Sequence, residues 1–201
     1  MKRIGVFGGT FNPVHNGHLI FAEQAREEAS LDQVLFMPTY IQPFKQEEAV
    51  SSPEARLAML KRATSGNRLF DVTTVEIESK AISYTILSLE KLAETYRSLG
   101  EICFLIGADM FANIEKWYRV RELLVRFEVI VGFRPGARED ALRSQVAQIA
   151  EAYNARITLV QNREFGVSSS EIRDRVKQGL SIRYLVPDSV REYIDEAALF
   201  I

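Results

Sequence analysis

Two histidines follow a glycine-rich turn near the start of the chain, and the 201 residues contain no other histidine. The stretch from Gly8 to His18 reads GGTFNPVHNGH and comes directly after a short apolar run. Glycine lets backbone approach a ligand closely, and a helix that begins near Gly17 turns its free N–H groups toward an anion. His15 and His18 stand three residues apart around that helix start, so both can face one anion. The stretch favours phosphate chemistry, and a tight strand–helix turn with two surface histidines is the alternative.

A second stretch of the same kind lies near the end of the chain. Residues 167–173 read VSSSEIR, and Ser168 or Ser169 is a candidate N-cap for the helix that follows. The free N–H groups of this helix start, the hydroxyls, and Arg173 one turn later would form another anion site. An ordinary capped helix with a solvated arginine is the alternative for this stretch taken alone.

Three other kinds of site are disfavoured by the residues present. A Walker loop needs a Gly-Lys pair, and the chain has none. A dinucleotide fingerprint needs Gly-x-Gly-x-x-Gly and an acid after the second strand, whereas Met37 is followed by Pro-Thr. A zinc site lacks ligands, because Cys103 is the only cysteine and the histidines number two.

Two stretches between these segments carry side chains that could contact a ligand. Asp109 follows Gly107 at the end of a predicted strand, where its carboxylate can accept hydrogen bonds from a sugar or a base. Capping a helix is the alternative for Asp109. Trp117 is the only tryptophan, and it can serve as a stacking platform or as a core side chain.

Composition sets the broad class of the protein. Hydrophobic residues make up 47% and charged residues 26%, and the net charge is −2. These values are typical of a globular domain and argue against a broad electrostatic surface for nucleic acid. We expect Cys103 to fill the core. The sequence shows neither a signal pattern nor an apolar run of about 18 residues that would span a membrane, so we expect a soluble cytoplasmic protein without a membrane or nucleic-acid partner.

Apolar runs of strand length alternate with helical patterns along most of the chain. This alternation predicts an α/β fold, a Rossmann-like doubly wound parallel sheet with helices on both faces. Ligands bind at the carboxyl ends of the strands in such sheets. We predict strands at Arg3–Phe7, Gln33–Met37, Phe70–Glu76, Ile102–Ile106, Glu128–Val131 and Arg156–Val160, and helices at His18–Ser30, Pro53–Thr64, Thr85–Arg97, Trp117–Arg126 and Arg138–Tyr153.

The last part of the chain has a different character. Ser168–Gln178 and Pro187–Ala197 read as two helices without a strand between them. No linker, repeat or low-complexity segment separates this tail from the rest. We therefore expect one domain over residues 1–201 with a short helical C-terminal segment from about 168 to 201. The stretch Tyr40–Ser52 has few core residues and is predicted to be a loop.

Together, the two stretches with anion-binding character resemble a known family. GGTFNPVHNGH is similar to the signature of the His-x-Gly-His nucleotidyltransferase superfamily, and VSSSEIR resembles its Ile-Ser-Ser-Thr-x-Ile-Arg motif. Within that superfamily the chain most resembles the bacterial nicotinate-nucleotide adenylyltransferases, over nearly its whole length. Asn12 stands where the family often has Asp, which is a minor departure.

The resemblance implies roles for particular residues. It assigns catalysis to His15, His18, Thr10, Lys45 and Arg173. It assigns ATP binding to Gly8, Gly9, Thr10, Phe11, His15, His18, Gly107, Asp109, Ser168, Ser169, Ile172 and Arg173. It assigns the pyridine nucleotide to Lys45, Ser83, Tyr84, Thr85 and Trp117. Two departures stand near these residues: Phe44 replaces the usual histidine, and Lys80-Ala81-Ile82 replaces the usual Arg-x-Gly.

The resemblance also implies a reaction. ATP and nicotinate mononucleotide would give deamido-NAD and pyrophosphate, with Mg²⁺ carried by ATP and no dedicated metal site. The alternatives are a nicotinamide mononucleotide or dual-specificity adenylyltransferase, and a pantetheine-phosphate or glycerol-phosphate nucleotidyltransferase of the same superfamily. A catalytically weak nucleotide-binding protein is a further alternative, for which the two departures are the support. The expected partners are small molecules, and a homo-oligomer stays open.

Overall fold

A computed structural model describes residues 1–41, 50–133, 139–162 and 166–201. In these ranges six strands form one parallel sheet, in the order β3-β2-β1-β4-β5-β6. The strands are β1 (Lys2–Gly9), β2 (Gln33–Pro38), β3 (Phe70–Val72), β4 (Gly100–Gly107), β5 (Glu128–Phe133) and β6 (Ile157–Gln161). The predicted α/β class and parallel sheet are confirmed.

Helices connect the strands and form the tail. They are α1 (Asn16–Glu28), α2 (Pro53–Thr64), α3 (Val75–Ser79), α4 (Thr85–Thr95), α5 (Ala108–Phe111), α6 (Val120–Arg126), α7 (Glu139–Tyr153), α8 (Ser169–Lys177) and α9 (Asp188–Glu196), with a 3₁₀ turn at Ile114–Lys116. Ser52 caps α2 by accepting from the backbone N–H of Ala55 at 3.1 Å, and Pro53 occupies its first turn.

Side chains of alternating strand residues pack into two separate cores, one on each face of the sheet. Phe7 and Phe36 point to the face covered by α1, α2, α8 and α9. Val6 and Leu35 point to the opposite face, which α4, α6 and α7 cover. A strand buried on both faces needs apolar residues at consecutive positions, which is why these runs show little polar alternation.

Two predicted elements are wrong in part. The strand predicted over Phe70–Glu76 ends at Val72, because β3 is an edge strand that pairs with β2 for three residues only. The chain then turns into α3, which buries Val75 in the second core. The helix predicted over Trp117–Arg126 begins at Val120, because Trp117 is extended and Arg119 has a left-handed φ of 52°.

The prediction that Cys103 fills the core agrees with the structure. Cys103 is buried in the first core, and burial raises the pKa of its thiol to about 11. None of the helices in the described ranges is long and apolar enough to cross a membrane.

The order of the strands determines where a ligand can bind. The chain starts at β1, fills the sheet on one side with β2 and β3, and returns to β4 on the other side of β1. The crossover connections of β1 and β4 therefore leave the sheet in opposite directions, which opens a crevice at their carboxyl ends. Gly8, Gly9 and Gly107 lie at these ends.

Candidate active site

The loop between β1 and α1 is fastened by side chains from two distant helices. The guanidinium of Arg56 on α2, which is 1% exposed, donates to the Thr10 carbonyl at 2.9 Å. Arg173 on α8 donates to the Asn12 carbonyl at 2.8 Å, and the Ser169 hydroxyl donates to the Pro13 carbonyl at 2.8 Å. These contacts set the shape of the loop from within the protein.

His15 and His18 stack on each other where α1 begins. Their ring centroids are 3.6 Å apart, with 24° between the ring planes. The backbone N–H of His15 donates to Nδ1 of His18 at 3.2 Å, which leaves the proton of a neutral His18 imidazole on Nε2. Gly17 makes room for this stack, because a Cβ atom there would lie 3.1 Å from Nδ1 of His15.

Burial holds both imidazoles neutral near neutral pH. It lowers the pKa of His15 to about 4. The pKa of His18 lies well below its ordinary value, first because of burial and second because of the charge of His15. Nδ1 of His15 is buried and has no hydrogen-bond partner in the described part of the chain. An anion beside the pair would favour the protonated form of each ring.

The start of α8 lies against the same loop. Ser168 is the N-cap of this helix, and its hydroxyl accepts from the Glu171 N–H at 3.1 Å. The capping interpretation is therefore confirmed for Ser168. The Ser169 hydroxyl is bonded to the loop, so both hydroxyls already have partners within the protein. The start of α8 therefore offers an anion its first backbone N–H groups and the guanidinium of Arg173.

A cavity of about 450 Å³ joins the loop, the histidines and the start of α8. Eleven of the twelve residues predicted to bind ATP line it: Gly8, Gly9, Thr10, Phe11, His15, His18, Gly107, Asp109, Ser168, Ser169 and Arg173. The structure thus brings together two stretches from opposite ends of the chain. Ile172 does not line the cavity, because its side chain is fully buried in the first core.

Gly107 and Asp109 form the side of this cavity that belongs to β4 and α5. Gly107 has a φ of −77°, and a Cβ atom there would meet nothing within 4 Å. Neither the backbone nor the packing therefore requires glycine at this position, whereas close approach of a ligand would. Asp109 is exposed in the first turn of α5.

A second cavity of about 380 Å³ adjoins the first and shares Gly8, Gly9, Thr10 and Trp117 with it. The predicted pyridine residues Ser83, Tyr84, Thr85 and Trp117 all line this second cavity. Four of its lining residues are aromatic: the ring centroids of Tyr84 and Tyr118 are 4.6 Å apart, and Trp117 packs edge-on against Phe104 at 5.9 Å between ring centroids. We refer to it as the aromatic cavity.

The remaining predicted residue and the two departures from the family pattern differ in whether the structure describes them. Lys45 and Phe44 lie outside the described residues, whereas Lys80-Ala81-Ile82 lies within them. Lys80 is the C-cap of α3 with a left-handed φ of 50°, and Ile82 is 36% exposed. Ser83, directly after them, is buried and accepts from the Tyr40 N–H at 2.9 Å.

Sequence reasoning missed Arg56 and Glu76, two buried charged residues beside the cavities. Arg56 fastens the loop, and Glu76 lines the aromatic cavity. A signal for Arg56 was present, because helical spacing places it on the same face as the core residues Met59 and Leu60. Glu76 gave no comparable signal, since it was assigned to a strand.

The residues around the first cavity fit a metal ion that arrives with its ligand. The described ranges contain no group of three or more His, Cys, Asp or Glu side chains that could hold a metal ion. Asp109 is the carboxylate among the described residues that line this cavity. A Mg²⁺ ion there would take its other oxygen ligands from phosphate groups and water.

Comparison with known proteins gives one consistent result. Residues 6–175 match the family model described as "Cytidylyltransferase-like". A protein of Desulfitobacterium hafniense (strain Y51) is 40% identical over 99% of this chain and 96% of its own length. A protein of Herpetosiphon aurantiacus is 37% identical over the full length of both chains. Both carry the name "Probable nicotinate-nucleotide adenylyltransferase".

Solved structures share the fold. The nicotinic acid mononucleotide adenylyltransferase of Plasmodium falciparum, solved with NaAD, superposes with a TM-score of 0.78 at 16% identity, over 100% of this chain and 98% of that one. Its complex with APC gives a TM-score of 0.77 at 15% identity, with the same coverage of both chains. These matches support the Rossmann-like fold over the full chain.

Proposed function

This chain belongs to the cytidylyltransferase-like family and, within it, to the nicotinate-nucleotide adenylyltransferases, and on that premise we propose how its residues perform adenylyl transfer. The enzyme is a nucleotidyltransferase that converts ATP and nicotinate mononucleotide into deamido-NAD and pyrophosphate. The observation that carries the proposal is the pair of adjoining cavities. One contains the stacked histidines and the start of α8, the other is aromatic, and both meet at Gly8, Gly9 and Thr10.

The reaction needs alignment more than it needs a base. An oxygen of the mononucleotide 5′-phosphate attacks the α-phosphorus of ATP in line, and the bond from that phosphorus to the bridging oxygen breaks. Pyrophosphate leaves with the electron pair. A phosphate monoester loses its second proton with a pKa of about 6, so the attacking oxygen is already ionised near neutral pH. The protein therefore holds two phosphates in line and offsets the charge that develops between them.

Each candidate residue has a role in that picture. His18, with its proton on Nε2, donates to an oxygen of the α-phosphate, and His15 does so beside it. Arg173 and Lys45 offset charge on the phosphates, and Thr10 positions the reacting phosphate. The first turn of α8 holds the triphosphate through its N–H groups, with Ser168 and Ser169 fixing that turn. Gly107 and Asp109 face the adenosine.

Ser83, Tyr84, Thr85 and Trp117 line the aromatic cavity, and in this proposal they surround the pyridine ring. The start of α4, at Thr85, offers backbone N–H groups to the ring carboxylate. We also propose that residues 1–201 act as one catalytic domain, because the tail completes the ATP cavity. Mg²⁺ bound by the ATP phosphates would neutralise part of their charge. A cytoplasmic location and a homo-oligomer stay predictions.

The test is product formation by the purified protein with ATP, Mg²⁺ and nicotinate mononucleotide. We expect equal amounts of pyrophosphate and deamido-NAD, the latter identified by its mass, and initial rates that fit a sequential mechanism. Parallel lines in double-reciprocal plots would indicate a covalent adenylyl-enzyme and would contradict direct attack. No pyrophosphate release with either pyridine mononucleotide would contradict the assignment itself.

A further inference from the structure

Glu76 on α3 brings a buried carboxylate to the aromatic cavity. Its side chain is 3% exposed and lines the cavity together with Tyr84 and Trp117. Oε1 accepts from the Ser88 hydroxyl at 2.7 Å. Oε2 is buried and has no hydrogen-bond partner in the described ranges of the chain. A buried carboxylate oxygen in that position is unfavourable unless a ligand compensates for it.

The charge of Glu76 is balanced at a distance by Arg56. Burial raises the pKa of Glu76 above its ordinary value, and the hydroxyls of Ser88 and Ser83 and the positive charge of Arg56 offset part of that rise. The hydrogen bonds of the Arg56 guanidinium go to the carbonyls of Thr10 and Ser51. The positive member of the pair therefore sits behind the phosphate loop, and the negative member lines the aromatic cavity.

A pyridine mononucleotide has the complementary distribution of charge. Its phosphate is anionic, and its ring nitrogen carries a positive charge because the glycosidic bond makes the ring a pyridinium. Aromatic faces and a nearby carboxylate both attract a delocalised cation in a site of low dielectric. Lys116 also lines this cavity, and its positive charge suits the ring carboxylate of nicotinate rather than the ring itself.

We propose that Glu76 is a specificity-determining residue that recognises the positive charge of the pyridinium ring. The inference rests on the proposed function and adds a selection rule to it. A mononucleotide with a neutral ring of similar size would lose the attraction to Glu76 and leave its Oε2 buried without a partner. The enzyme would therefore discriminate by ring charge as well as by the ring substituent.

The experiment compares nicotinate mononucleotide with its 1,4-dihydro form, which has a neutral ring and the same carboxylate, ribose and phosphate. The quantity measured is the ratio of the two kcat/KM values with ATP. We expect the wild type to favour the oxidised form at least tenfold, and Glu76→Gln to reduce that ratio at least tenfold. The ratio comes from one enzyme preparation, so a partly folded variant does not distort it.

Glu78→Gln is the matched control. Glu78 lies on the same short helix but is exposed, and its carboxylate accepts from the Thr74 hydroxyl. We expect it to keep the wild-type ratio. If Glu76→Gln fails to fold because Arg56 loses the nearby negative charge, the double variant R56Q/E76Q takes its place, because it removes both charges. The ratio of its two kcat/KM values then tests the proposal, and we expect the same reduction of at least tenfold.

Failure of the proposed function and failure of the role given to Glu76 produce different results. A protein that adenylylates neither ring form contradicts the proposed function. A protein that adenylylates nicotinate mononucleotide but shows no preference for the charged ring, or keeps its full preference without Glu76, contradicts this inference and leaves the function intact.

Discussion

At the scale of single residues, chemistry depends on the two stacked imidazoles. Their types and spacing could be predicted from the sequence, because three residues around a helix start bring two side chains to the same end of the helix. Their neutral state could not be predicted. It follows from burial beside Phe7 and Phe11, whose ring centroids lie 6.0 and 5.1 Å from that of His18, and these contacts arise only in the folded chain.

Replacing His18 by Ala should lower kcat by about 10²–10³-fold, because one donor to the transition state is lost. The measurement is steady-state pyrophosphate release, together with a thermal melt that verifies folding. Glu78→Gln, remote from the phosphates, is the control and should turn over like the wild type. Near-wild-type turnover by a folded H18A protein would contradict the role given to His18.

Acid should destabilise the protein partly through His15. Its pKa is about 4 in the folded state against an ordinary 6.5, so the unfolded chain binds the proton first as the pH falls. The stabilisation that neutral His15 contributes is fully present above pH 6.5 and decreases as the pH falls from 6.5 to 4. For this one group the decrease is about 3 kcal/mol at pH 4.

Urea unfolding of the wild type and of His15→Gln at several pH values measures that contribution. The variant should lose less free energy of unfolding over the same pH interval, because a glutamine does not titrate. Identical pH profiles for the two proteins would show that His15 is not held neutral by burial.

At the scale of elements, the site depends on how the helix starts are fixed. The start of α2 at Pro53 was predicted and is confirmed, and Ser52 caps it. The packing of α8 against the phosphate loop was not predictable from local pattern, because the contacts join Ser169 to Pro13 and Arg173 to Asn12, more than 150 residues apart. The error at α3 has the same origin: the β-branched run after Phe70 favours a strand, but sheet pairing ends at Val72.

Removing the cap of α8 by Ser168→Ala should cost about 1 kcal/mol of stability and raise the KM for ATP, because the fraying turn carries the N–H groups that hold the triphosphate. Ser52→Ala removes the cap of α2 and is the matched control. It should cost a similar free energy of unfolding with a smaller increase in the KM for ATP, because α2 acts on the phosphate loop only from behind it, through Arg56. Equal KM values in the two variants would argue against triphosphate binding at the start of α8.

At the scale of the whole molecule, the tail contributes to stability as well as to the site. Val190 and Ile194 on α9 are fully or almost fully buried in the first core. The N–H of Asn16, the first residue of α1, donates to the Leu185 carbonyl at 2.9 Å. The tail therefore packs on the face of the sheet that also holds the histidines.

Truncating Ile194 to Ala should lower the free energy of unfolding by about 3 kcal/mol, because it leaves a cavity in that core. The melting temperature should fall by roughly 10 °C for a chain of this size. Leu180→Ala, at a position 48% exposed in the same tail, should change stability by less than about 0.5 kcal/mol. Similar melting temperatures for both variants would show that α9 is not part of the core.

The most direct test of the central claim compares the two pyridine mononucleotides as acceptors. The purified protein is given ATP and Mg²⁺ with either nicotinate or nicotinamide mononucleotide, and pyrophosphate release yields kcat/KM for each. We expect a clear preference for nicotinate mononucleotide in kcat/KM, with deamido-NAD and pyrophosphate as the products. Equal values, a preference for the nicotinamide form, or no turnover with nicotinate mononucleotide would contradict it.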